Sequence, residues 1–389
     1  MQAENSRPKI LITDGASVNA LGIVRQLGIL NRFDIFAVGY NSVALVKFSK
    51  YCKTFFLVPP PKSKSREFIT EIINICKENK IDFVLPVGFY AHKAIIEDLS
   101  SVASVTKLCL PPAQSFLIAT SKIETSKLAK EAGVLVPNTI IITDLRELHS
   151  LHNLRYPLVI KSPNEIGGRM VEYAHTKEEL ILKFGDLVRK FELPVKDYPI
   201  IQEFIEGEGV GFFAFYKDGK VMASFMHERV REFPVSGGRS VCARSFYNEN
   251  LEKSGRAVLD ALHWNGSAMV EFKRTADNTY YLLEVNPKLW GSIELAICSH
   301  VNFPLLMIED ALGITAEKPT ITKKQVYFQW CLNGELYHFF NRPQSIFSIL
   351  KTALHSKKDF WFKDIKPNLM QFLLIFIDLY KVIKSNLRP

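Results

Sequence analysis

Tyr280-Tyr281-Leu282-Leu283-Glu284-Val285-Asn286-Pro287-Lys288 is the stretch on which the reading of this chain turns. Aromatic and branched residues favour a strand, and Pro287 stops it. Upstream, Ala268-Met269-Val270-Glu271-Phe272-Lys273-Arg274 has the same character, and Ala276-Asp277-Asn278 between the two is turn chemistry. Residues 268–274 and 280–285 are therefore predicted to form a hairpin. Glu284 and Asn286 lie two apart and share a face, with Glu271 on the adjacent strand. Two carboxylates and an amide oxygen on neighbouring strands make an all-oxygen set. Magnesium takes that ligand type and completes its shell with phosphate and water. Lys288, just past the proline, is placed to meet the same phosphates. The bland alternative is a solvated face carrying two glutamates.

Working outward, Lys161 ends the apolar run Pro157-Leu158-Val159-Ile160, where an unpartnered ammonium is costly to bury. The following loop, with Gly167 and Gly168, offers backbone N–H groups to a phosphate. Residues 200–204 form a further strand, which runs through Gln202-Glu203-Phe204-Ile205-Glu206 and stops at Gly207. Residues 121–132 are a helix capped by Thr120 or Ser121 and closed by Gly133 and Pro137. Residues 211–216 and 221–226 make another hairpin around Lys217-Asp218-Gly219-Lys220. The first hundred residues differ: strands at 9–13, 34–38 and 83–86 alternate with helices at 20–30 and 68–77. That alternation implies a parallel sheet with crossover helices. Ligands on such sheets sit at the carboxyl ends of the strands, here residues 14–17, 39–42 and 87–90, although these are equally read as plain tight turns.

Taken in order from about residue 121 to residue 313, these elements resemble the ATP-grasp superfamily, in particular its carbamoyl-phosphate-synthase-like carboxylate–amine ligases. The resemblance implies an α/β parallel-sheet domain over 1–112 and an α+β ATP-grasp fold over 113–315; the remainder, 316–389, matches no part of it and reads as a mainly helical, basic and aromatic C-terminal extension. By position, it implies that Lys122, Lys161 and the Gly167-Gly168 loop hold ATP phosphates. It implies that Gln202 and the Glu203, Phe204 and Ile205 backbone receive the adenine. Glu271, Glu284 and Asn286 would hold magnesium, with manganese as a substitute. Lys288 stands where many members carry arginine and would contact the transferred phosphoryl group or the substrate carboxylate. The chain departs from the pattern at Val210, where many members place an acid for the ribose hydroxyls; Glu208 is the nearest replacement. The implied activity is phosphorylation of a carboxylate by ATP and capture of the acyl phosphate by an amine, with release of ADP and phosphate. A biotin-carboxylase-like activity would be the neighbouring enzymatic reading, but the chain has no Met-Lys-Met carrier segment. A nucleotide-binding scaffold without chemistry is the alternative from another class, and the intact Glu271, Glu284 and Asn286 set argues against it.

A second cluster is His227-Glu228-Arg229-Val230-Arg231-Glu232-Phe233-Pro234, followed by a turn at Ser236-Gly237-Gly238. Arg229 and Arg231 alternate by two, so strand periodicity puts both on one face, where they suit a substrate carboxylate or a phosphate; the bland alternative is a solvated strand with Glu–Arg pairs. His227 is read either as a general base or as a structural histidine.

Charge excludes one class of partner. The net charge is +9, and residues 341–389 alone carry nine Lys or Arg against three Asp or Glu, so most of the excess sits in the tail. A nucleic-acid binder would spread it over a face. The apolar run at 370–377 is too short to span a bilayer; it either packs on the enzyme or lies peripherally in a membrane interface. The six cysteines lack C-x-x-C spacing and residues 1–9 lack an apolar core, as expected of a cytoplasmic protein with small-molecule substrates. The reading also allows a homodimer.

Overall fold

The computed structural model describes residues 7–164, 170–235, 237–315 and 325–386, with side chains as far as residue 377. Strands β1 (Lys9–Ile12), β2 (Asp34–Gly39), β3 (Thr54–Leu57) and β4 (Phe83–Leu85) form a parallel sheet in the order β3-β2-β1-β4. Ile10, Leu11 and Ile12 have no exposed surface, as befits a parallel strand covered on both faces. The half-buried β3 was not anticipated from sequence, because Thr54–Leu57 lacks a continuous buried run.

A second, antiparallel sheet comprises β5 (Thr139–Ile141), β6 (Leu158–Lys161), β7 (Val171–Ala174) and β8 (Ile200–Glu203), in the order β5-β8-β6-β7. The third and largest contains β9 (Glu208–Lys217), β10 (Lys220–Phe233), β11 (Arg239–Ser245), β12 (Gly266–Arg274), β13 (Tyr280–Asn286), β14 (Tyr327–Gln329) and β15 (Ser356–Lys358). Its order is β13-β12-β9-β10-β11-β14-β15. Both predicted hairpins are present, β9/β10 and β12/β13. The α/β parallel-sheet start, the α+β middle and the helical C-terminal region match the fold class expected from sequence.

One apolar cluster joins these parts. It runs from Ile10 and Ile23 through Phe213 and Phe225 to Trp290, Phe303 and Trp330. Because it draws on the parallel sheet, the large sheet and the helices that follow β13, it fixes the β12/β13 hairpin against the carboxyl ends of β1 and β4. Asn19 Nδ2 donates to the Leu289 carbonyl at 3.1 Å at the same junction.

One side of the tail packs on the core, with Met370 and Leu374 against the apolar cluster and Ile375 buried, while Leu373 and Phe376 of the same run are exposed. Arg25, 2% exposed, donates from Nε to Asp364 Oδ2 at 2.9 Å and from Nη2 to Asn368 Oδ1 at 2.7 Å. Asp364 also accepts from Ser49 Oγ and the Lys50 N–H, both at 2.9 Å. A buried arginine is tolerable only when its donors are matched in this way. The outer side of the same region leaves Phe347, Leu354 and Phe362 exposed. Among the described residues no helix is long and apolar enough to cross a membrane.

Candidate active site

Glu271 and Glu284 are directly opposite each other across β12 and β13. Like charges at such a position repel unless something positive intervenes. Asn286 Nδ2 donates to Glu284 Oε1 at 3.1 Å, so the two share a face as strand periodicity requires. Lys122 Nζ lies 3.0 Å from Glu284 Oε2. Burial disfavours the Glu284 carboxylate, but Lys122 and Lys161, with hydrogen bonds from Lys122 and Asn286, outweigh it and hold its pKa down at about 2. Glu271 goes the other way: burial raises its pKa against the pull of Arg229, and the neighbouring Glu284 and Glu232 raise it further. Arg229 Nη2 meets Glu271 Oε1 at 2.6 Å. The two glutamates thus each hold one cation, and no group of three His, Cys, Asp or Glu side chains suited to a metal occurs among the described residues. Two facing carboxylates and a buried amide nevertheless fit magnesium, which needs few protein ligands when phosphate supplies the rest.

Local sequence explains how the cations arrive. Ser121 caps the helix Lys122–Glu131 by accepting the Glu124 N–H, which places Lys122 at its first position. The Lys122 N–H donates to the Pro163 carbonyl at 2.8 Å, tying that helix to the loop after β6. Lys161, the last residue of β6, is 8% exposed. Burial lowers its pKa to about 8 and Lys122 adds to the effect, opposed by Glu284 and Glu271. Gly167 and Gly168 lie outside the described residues.

On β8, Gln202 Nε2 donates to Thr139 Oγ1 at 3.0 Å, and Glu203 Oε2 accepts from Asn138 Nδ2 at 2.9 Å. Phe204 meets Tyr173 edge-on at 5.9 Å and Ile205 is buried. Gly207 is dictated by crowding: a Cβ there would stand 2.2 Å from the Arg274 carbonyl oxygen.

A family model described as ATP-grasp in the biosynthetic pathway with Ter operon matches residues 199–332. Over that segment the chain resembles the ATP-grasp superfamily. It is 27% identical over 226 residues to the carbamoyl phosphate synthase large chain of Thermotoga neapolitana, covering 56% of this chain and 20% of that one. It therefore spans about a fifth of the length of this curated relative. The fold is similar to biotin carboxylase from Campylobacter jejuni, with a TM-score of 0.68 and 16% identity over 83% of this chain and 75% of that one. It is also similar to L-amino acid ligase from Bacillus licheniformis, with a TM-score of 0.63 and 17% identity over 82% and 79%.

Within this ATP-grasp frame, several expected residues sit differently from the sequence reading. Arg229 and Arg231 do not keep a simple alternation. Arg229 stands opposite Ala243 and Arg231 opposite the adjacent Cys242, because a bulge at Val230 breaks the two-residue period. Arg229 turns to Glu271, whereas Arg231 is closed off by Glu335 at 2.5 Å, Thr352 Oγ1 at 2.7 Å and the Ser348 carbonyl at 3.3 Å. Arg231 therefore anchors the C-terminal region, which corrects its expected place beside Arg229 in a substrate clamp. Room for Arg229 comes from Gly209, where a Cβ would lie 2.9 Å from Arg229 Cδ.

Glu208 is mostly exposed and paired with Arg274, which also meets Glu228 at 2.6 Å. Lys288 Nζ lies 6.0 Å from the centre of the Phe89 ring, and its charge acts on Asp14 and His92. It thus stands between the hairpin and the carboxyl ends of β1 and β4. Asp14 accepts from the Gly88 N–H at 2.7 Å, so the turns at 14–17 and 87–90 meet there. His227 is fully enclosed, bonded through Nε2 to Ser292 Oγ at 2.7 Å and packed on Phe213. Burial, with Arg229 beside it, lowers its pKa to about 3, which favours the structural reading over a general base. Ser236 lies outside the described residues. Sequence reasoning missed Glu335, His338 and Arg342, because nothing in residues 331–345 shows which of them reach β10.

Proposed function

We propose that this ATP-grasp chain phosphorylates a small-molecule carboxylate with ATP and passes the acyl group to an amine. The observation that carries the reading is the array of half-buried Glu271 and Glu284 with buried Asn286, facing Lys122 and Lys161. Glu271, Glu284 and Asn286 would hold magnesium, which supplies charge neutralisation and Lewis-acid polarisation of phosphate. Lys122 and Lys161 would bind the phosphates, and Gln202, Glu203, Phe204 and Ile205 would form the adenine wall. Glu208 would reach the ribose only by leaving Arg274. Gly167 and Gly168 would belong with Lys122 and Lys161 as phosphate contacts, as the resemblance implies. Arg229 and Lys288 would orient the acid so that one carboxylate oxygen attacks the γ-phosphorus and ADP leaves. The amine then attacks the acyl carbon, phosphate departs, and the amine proton passes to phosphate or solvent. The partition into 1–112, 113–315 and 316–389 belongs to the same proposal.

This chemistry asks the protein for positioning and electrostatics and for no covalent intermediate. The test is ADP release measured against a panel of amino acids and other carboxylates with excess amine. Acid-dependent release is expected from the wild type and none from Glu284→Ala at unchanged far-ultraviolet circular dichroism. Nucleotide binding without any acid-dependent release would support the scaffold reading instead, and near wild-type turnover by Glu284→Ala would remove Glu284 from the metal set.

A further inference from the structure

A cavity of about 410 Å³ opens between the outer end of β10 and the segment that follows the helix Leu336–Asn341. Its lining includes Arg229, Val230, Val235, His338, Arg342 and Ser345. One wall is Arg229, whose guanidinium also holds Glu271, so the cavity abuts the proposed metal pair. The opposite wall comes from the C-terminal region, for which the ATP-grasp resemblance offers no counterpart.

The polar groups there are unevenly satisfied. Arg231 lines the cavity with a guanidinium already closed by Glu335, and Glu232 is taken up by the Gly238 N–H at 3.0 Å and by Arg229. His338 Nδ1 donates to the Glu232 carbonyl at 2.8 Å, which fixes the ring. Arg342, in contrast, is exposed and forms no ion pair with a described residue. Ser345 is 8% exposed, yet its hydroxyl has no hydrogen-bond partner among the described residues. A buried hydroxyl left unmatched in this way is unusual and leaves a hydrogen bond to be made.

We propose that this cavity is the acid-binding subsite and that it selects acids carrying a second anionic group. The inference rests on the ligase reading for what happens to the acid, but not for its binding. Arg229 would hold the reacting carboxylate beside the phosphates. Arg342 and Ser345 would hold the second anionic group, with Val230 and Val235 against the carbon skeleton between them. A guanidinium suits a carboxylate or phosphate because its donors form a planar fork. The C-terminal region thereby sets the substrate class while the ATP-grasp lobes set the chemistry.

The test pairs binding with turnover, using L-glutamate and O-phospho-L-serine as dianionic probes against L-glutamine and L-serine. Calorimetry on the full chain should show the dianionic probes binding at least about 10-fold more tightly, the factor expected for one charge-assisted contact. Arg342→Ala should erase that preference, Arg342→Lys should restore part of it, and ATP binding should not change in either. Ser345→Ala should weaken the dianionic probes by a smaller factor. Equal binding of both probe classes, or an undiminished preference in Arg342→Ala, overturns the inference. If the preference behaves as expected but no acid releases ADP, the subsite stands and the ligase reading falls.

Discussion

Lys161 shows how much one side chain depends on its surroundings. It is buried beside a second ammonium, Lys122, and two carboxylates that are themselves engaged elsewhere. A charge so placed contributes little to folding and is poised for an anionic ligand. Lys161→Ala should therefore raise the dissociation constant for ATP by about 10- to 100-fold, the range for losing one charge-assisted hydrogen bond. Its affinity for the acid should change much less, and its thermal midpoint should stay level or rise, since a buried charge and its repulsion with Lys122 are gone. Calorimetry and thermal unfolding on one preparation check both; parallel loss of ATP and acid binding with a lower midpoint would make Lys161 a folding residue. The residue type and its place at the end of an apolar strand were legible in the sequence. Its neighbours Lys122, 39 positions upstream, and Glu284, 123 positions downstream, came from the resemblance and not from any local pattern.

At the scale of elements, β10 teaches the clearest lesson. Two-residue alternation predicted one face for Arg229 and Arg231, and a single bulged residue separated their fates. No pattern in His227-Glu228-Arg229-Val230-Arg231 announces that bulge, because it is the partner strand β11 and the C-terminal helices that hold it. Arg231→Ala should leave Glu335 buried without its cation and cost about 3–5 kcal/mol of stability, as breaking one side of a buried pair does. Arg229→Ala should instead spare stability more and raise the Michaelis constant for the acid. Denaturant titration of both variants, followed by steady-state kinetics at a temperature where both are folded, separates the two roles. A stability loss under about 1 kcal/mol for Arg231→Ala would return that pair to the class of weak surface bridges.

At the scale of the whole molecule, the junction of the N-terminal sheet, the helix Ile293–Cys298 and the tail is built on buried carboxyls. Glu294 has Trp330 Nε1 at 3.3 Å, and Gly22 is bare because a Cβ would stand 2.7 Å from the glutamate. Burial raises the Glu294 pKa to about 8 and the charge of Asp359 adds to this, while Arg25 and the Trp330 bond oppose it. Asp359 itself is raised by burial to about 7, despite hydrogen bonds from the Leu332 and Cys331 backbone. Arg25, which pairs with Asp364, and the thiols of Cys298 and Cys331 also lie near the pair. Both carboxyls bind a proton more tightly folded than unfolded. The stability they contribute is thus complete below the ordinary carboxylate range and is lost as pH rises through about 7 to 8. The thermal midpoint should fall between pH 6 and pH 8.5, and Glu294→Gln should flatten that slope and be the more stable protein at pH 8.5. An identical slope in the variant would show that Glu294 is not the group responsible.

The sequence by itself determined the parallel-sheet start, both hairpins and the pairing of Glu284 with Asn286 on one face. Each depends on local periodicity, turn chemistry or proline, which act over a few residues. It also carried the ordered set of elements that marks the ATP-grasp superfamily. Tertiary structure alone decided that Glu271 faces Glu284 in register, that Arg229 and Arg231 part company, and that Lys288 turns toward Phe89 and Asp14. It also decided that the tail seats Arg25 and brings Arg342 and Ser345 to β10. These outcomes depend on which buried charges find partners across more than a hundred residues of chain. That matching is a property of the packed interior, where an unpaired charge is costly, and it leaves no periodic trace in the sequence.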